Sequence, residues 1–100
     1  MNVNISKIKT YVGFAVKSRK IKFGVDDILK TKNTKLIIVS DSLAESGMKK
    51  LEGFSERTKV DLIKLREDEF FEIIQNISIK ATAISDENLA EAIKKNLTNI

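Results

Sequence analysis

The chain has 100 residues, 42% of them hydrophobic and 32% charged, which is the length and balance of one globular domain with one core. It has no cysteine, histidine or proline, which excludes disulfides, thiolate zinc sites, thiol catalysis and histidine acid–base chemistry. A chain this long buries roughly two-thirds of its unfolded surface, enough to fold without metal or cross-links. The net charge of +4 is unevenly placed: residues 1–35 carry nine Lys/Arg against two Asp, and residues 36–100 carry nine against twelve Asp/Glu. A basic N-terminal third suits a polyanion such as RNA, and equally a solvated surface.

Ile5, Ile8, Val12 and Ala15 recur at spacings of three and four and predict a first helix ending near Ser18. Lys20–Phe23 then alternates polar and apolar, a short strand with Lys20 and Lys22 on one face and Ile21 and Phe23 on the other, halted by Gly24. A second helix follows, with Ile28 and Leu29 inward. Leu36–Val39 is apolar on both faces, as expected of a central strand covered on each side by helices. That run is far shorter than the roughly 20 apolar residues that span a bilayer, so no membrane partner is expected. The stretch Met1–Ile8 lacks the apolar centre of a signal peptide, and a cytoplasmic protein is expected.

Ser42 and Glu45 have capping-box spacing for a third helix running to about Arg57, with Met48 and Leu51 inward. Val60–Leu65 predicts a third strand, and Asp68–Asn76 a helix burying Phe70, Ile73 and Ile74, with Phe71 partly exposed. Lys80–Ile84 predicts a fourth strand. Ser85 or Asp86 caps a last helix whose Leu89, Ile93 and Leu97 recur at four. Helices alternating with short strands, joined by connections of two to four residues, predict a mixed four-stranded sheet between helical layers, an α/β/α sandwich with about five helices in a single domain, residues 1–100.

The order of short strand, glycine-started helix with a lysine six residues on, apolar strand ending in Ser40-Asp41, and a late Ala83-Ile84-Ser85-Asp86-Glu87-Asn88-Leu89-Ala90 stretch resembles the kink-turn-binding ribosomal proteins, above all their small bacterial relatives. The similarity runs from about Ile8 to Leu97. It implies the same three-layer sandwich and binding to sharply bent helix–loop–helix RNA, ribosomal or regulatory, without cofactor or metal. The family's motif is glycine, any residue, asparagine, glutamate, two residues, lysine; here it reads Gly24-Val25-Asp26-Asp27-Ile28-Leu29-Lys30. Gly24 and Lys30 match, and Asp27 keeps the carboxylate that accepts from a guanine edge. Asp26 replaces an amide that both donates and accepts with a group that only accepts. The resemblance also implies that Ile77 and Ile79, in the Asn76–Lys80 connection, lie against an extruded base, with Lys80 beside them. Phe71 and Gln75 stand where the family places glycines.

Each of these residues has an ordinary alternative. Gly24 offers free N–H groups at a helix start to a phosphate, or simply permits a tight turn while Asp26 and Asp27 complement the helix dipole. Lys30 can pair with Asp26 one turn earlier. Lys17, Arg19, Lys20 and Lys22 precede Gly24 and place positive charge beside the recognition turn, or else protect an edge strand from aggregation. Lys7, Lys9, Lys32 and Lys35 are too dispersed in sequence to assign. Tyr11 and the phenylalanines are expected in or near the core. Asp41, with Asp26, Asp27 and Lys80, also offers the residue types of a phosphoacceptor domain. That chemistry needs the acidic pair at the end of the first strand, so Asp41 and Ser42 read better as a turn and cap.

The resemblance thus implies a monomeric, non-enzymatic, structure-selective RNA-binding protein associated with the ribosome. The contacts fall to Lys20, Lys22, Gly24, Val25, Asp26, Asp27, Lys30, Ile77, Ile79 and Lys80. The alternative is a protein-interaction adaptor that keeps the fold without the RNA site.

Overall fold

In the computed structural model, which describes residues 4–97, the chain runs α1 (Ile5–Lys17), β1 (Ile21–Phe23), α2 (Val25–Lys30), β2 (Leu36–Ser40), α3 (Glu45–Thr58), β3 (Asp61–Leu65), α4 (Glu67–Ile74), β4 (Ala81–Ile84) and α5 (Glu87–Leu97). Residues 1–3 of the stretch Met1–Ile8 lie outside the described residues. The strands form one mixed sheet in the order β1-β4-β2-β3, with β4 antiparallel to both neighbours and β2 parallel to β3.

Alternation along the central strands divides the core into two layers, because successive side chains leave opposite faces of a sheet. Leu36 and Ile38 of β2, with Ile84 of β4, pack under α1, α4 and α5 through Ile8, Val12, Phe70, Ile73, Ile93 and Leu97. Ile37 and Val39, with Ala81 and Ala83, pack under α2 and α3 through Ile28, Leu51 and Phe54. All five residues of β2 are buried, as a strand apolar on both faces requires. The three-layer α/β/α architecture with a mixed four-stranded sheet and five helices is the expected one.

Several local expectations are corrected. Ser42 and Glu45 form no capping box: α3 starts after Ala44, and the Ser42 hydroxyl and amide both bond Ser40 Oγ, at 2.7 and 3.1 Å. Asp41 caps a different helix, its carboxylate accepting from the amide of Glu67 in the first turn of α4 at 3.1 Å. Of the two candidates before α5, Asp86 is the cap, its Oδ1 accepting from the Leu89 amide at 2.9 Å. The fourth helix begins at Glu67 and stops at Ile74, leaving Gln75 and Asn76 to the connection. Connections range from the single residue Gly24 to six residues, 75–80. Phe14 and Phe71 are exposed at 51% and 47%, so not every phenylalanine belongs to the core.

Candidate nucleic-acid interface

The carboxyl ends of β1, β2 and β3 and the amino end of β4 share one end of the sheet. There Gly24 leaves β1 with φ 89° and ψ 148°, a backbone region that only glycine enters readily. Its amide donates to the carbonyl of Ala81 at 3.0 Å, and the Ser40 amide donates to the carbonyl of Lys80 at 2.9 Å. These two bonds set the start of α2 beside the end of the 75–80 connection. The two regions singled out from sequence thus adjoin. The Gly24 amide is already satisfied, so it is not free for a phosphate.

Two depressions lie on the elements that meet here. One, of about 400 Å³, is lined by Lys22, Asp27, Lys30, Thr31 and Lys32. Lys22 reaches it because β1 turns Ile21 and Phe23 into the core under α1, which leaves Lys22 on the face that α2 covers. Lys30 and Asp26 form no ion pair with each other, contrary to the i to i+4 expectation. Asp26 is exposed, and Val25 packs inward on the core beneath α2 and α3.

The second depression, of about 320 Å³, is walled by Phe70, Phe71, Ile77 and Ile79, with Glu67, Asp68 and Lys80 at its rim. Ile77 and Ile79 separate here: Ile77 is 74% exposed, whereas Ile79 packs against the core under α1. Gln75 takes the left-handed conformation at φ 59° that ends α4, the position at which a glycine costs least. The connection tightens on itself, with Asn76 Oδ1 accepting from the Ser78 amide at 3.0 Å and from its hydroxyl at 2.7 Å.

The charge at this rim is internally compensated. Lys80 Nζ donates to Glu67 Oε2 at 2.9 Å, and that hydrogen bond holds the Glu67 carboxyl below the usual carboxylate range. Arg66 grips Asp68 through Nε and Nη2, both at 3.2 Å, which lowers the Asp68 carboxyl and raises the guanidinium. Lys80 therefore does not face solution as a bare cation, and a single cationic notch across both depressions is not what forms. By contrast, none of the nine cations in residues 1–35 makes an ion pair with a described residue.

The expected basic cluster is also rearranged. Lys17, Arg19 and Lys20 lie at the opposite end of β1 from Gly24, roughly 13 Å of strand away for Lys20. Sequence reasoning missed Glu67, Asp68 and Phe71 as neighbours of the 75–80 connection. The acidic start of α4 was a visible signal, but its proximity to Lys80 depends on the strand order. Among the described residues, no group of three or more Asp or Glu could hold a metal ion, and no helix is long and apolar enough to cross a membrane.

No protein-family model and no curated protein matches the chain. Among solved structures it is similar to a Bacillus halodurans protein of unknown function, with a TM-score of 0.79 and 15% identity over 91% of this chain and 96% of that one. At that identity the likeness establishes the fold alone.

Proposed function

We propose that the protein is a non-enzymatic, structure-selective RNA-binding protein of the kink-turn type, as the resemblance in sequence implies, acting in the cytoplasm and on ribosomal or regulatory RNA. The observation that carries this reading is the gathering of Lys22, Asp27 and Lys30 in one depression along α2, whose Gly24 start is bonded to the residue that follows the connection bearing the exposed Ile77. Lys22 contacts phosphate. Asp27 accepts from, and Lys30 donates to, purine edges laid open by the bend, while Ile77 covers an unstacked base. Gly24 sets the turn that brings these side chains together, and Lys80 joins the site when Glu67 releases it.

Filter binding of a kink-turn RNA and a plain RNA duplex, compared across salt, tests the reading. A clear preference for the bent RNA is expected, and equal affinity for both would overturn it.

A second reading is favoured by the compensated rim of the Phe71–Ile77 depression, which suits an uncharged protein surface better than phosphate. In that reading the protein is an adaptor. Its partners would survive nuclease treatment in a pull-down, whereas partners bridged by RNA would be lost.

A further inference from the structure

The register of the sheet assembles a second cationic surface, at the end remote from Gly24. Ile21 pairs with Ile84, and Leu36 pairs with Ile84 from the other side. One residue further along, the Ser85 amide donates to the Lys20 carbonyl at 2.9 Å, and the Lys35 amide donates to the Ile84 carbonyl at 2.8 Å. Lys20 and Lys35 therefore lie on either side of the end of β4, Lys20 bonded to Ser85 and Lys35 to Ile84. Adjacent strands lie about 4.8 Å apart, so the two lysine backbones are roughly 10 Å apart. Lys20 and Lys35 are both exposed.

Lys32, in the connection that follows α2, belongs instead to the depression of Lys22 and Lys30. Arg19 directly precedes Lys20 and closes α1 in a left-handed conformation, φ 59°, with its amide bonded to Val16 and that of Lys20 to Ala15. Glycine is the residue that this helix-ending motif favours, yet a cation occupies it. None of these cations has an ionic partner among the described residues. Asp86, the acid that follows Ser85, is committed to capping α5.

We infer that Lys20 and Lys35, on either side of the end of β4, form with Arg19 a second contact surface that holds the phosphate backbone of an RNA duplex stem, separate from the recognition end at Gly24. The choice of RNA as the polyanion rests on the proposed function. Unpaired ammonium groups displace counterions from phosphates without reading sequence, so this surface adds affinity and salt dependence but no preference for a bend.

The test is fluorescence anisotropy of the full chain with a plain RNA duplex and a kink-turn RNA, titrated across salt. The variant Arg19→Gln/Lys20→Gln/Lys35→Gln is compared with Lys50→Gln/Lys59→Gln/Lys95→Gln, which removes the same charge elsewhere on the exposed surface. The first triple variant is expected to flatten the plot of log affinity against log salt by about two to three for both RNAs, and the control by much less. Arg19→Gly should weaken both RNAs without lowering the melting temperature. An unchanged slope in the first variant, an equal loss in the control, or binding to phosphatidylserine vesicles in place of RNA would overturn the inference. A bend preference that survives with an unchanged slope removes this surface and leaves the proposed function standing. A flattened slope without any bend preference does the reverse.

Discussion

The amide of Gly24 and the carbonyl of Ala81, 3.0 Å apart, tie the start of α2 to the residue that follows Lys80. Segments more than fifty positions apart thereby share one end of the sheet. This follows from the antiparallel pairing of β1 with β4, which returns the chain to Gly24 just as the 75–80 connection ends.

Gly24→Ala should destabilise the fold through its backbone alone. A Cβ at this position meets nothing within 4 Å, so the cost comes from holding an L-residue at φ 89° and is about 1–3 kcal/mol. For a domain of this size each kcal/mol lowers Tm by roughly 4–8 °C, which calorimetry would register. An unchanged Tm would show that the turn relaxes.

Ile77 and Ile79 should part company on mutation. Ile77→Ser, at an exposed position, should change stability by less than about 0.5 kcal/mol while weakening the bent RNA more than the duplex. Ile79→Ser places a hydroxyl against the core under α1 and should lower the denaturant midpoint. Equal stability losses would contradict the separation of the two side chains.

Lys30→Ala removes from the α2 depression a donor that forms no ion pair with a described residue. Bent-RNA affinity should fall by about 1–3 kcal/mol, measured as a change in Kd, with a smaller loss for the plain duplex. A uniform loss on both RNAs would reduce Lys30 to a phosphate contact.

Glu67 restrains Lys80, so Glu67→Gln should tighten RNA binding. The ion pair also gives a pH signature. Because Lys80 holds the folded Glu67 carboxyl below its unfolded value, the pair's contribution is present at neutral pH. It is lost as pH falls from the ordinary carboxylate range through the depressed folded value. Urea midpoints of wild type and Glu67→Gln should therefore converge on acidification through that window, and a constant difference would contradict the assignment.

The layers of the fold were legible because periodicity reports burial directly: Leu36–Val39 reads as a two-faced strand and Ile8, Val12 and Ala15 as one helix face, and so they are. The helix-capping signals were less so. Ser42 has the right spacing for a box but prefers the buried Ser40 hydroxyl, and Asp41 reaches across to α4, a contact 26 residues away in sequence. The charge arrangement was the least legible, since strand order decides it. Inserting β4 between β1 and β2 puts Lys20 and Lys35 on either side of its end, and the pairing of Lys80 with Glu67 joins segments that the sequence keeps 13 residues apart.

The most direct measurement is the change in backbone amide shifts when a kink-turn RNA is added to the labelled protein. Shifts concentrated in Lys22–Lys30 and Asn76–Lys80 are predicted, both moving over the same range of RNA concentration. Shifts confined to the outer faces of α3 and β3, or movement in one segment without the other, would contradict a shared RNA site at this end of the sheet.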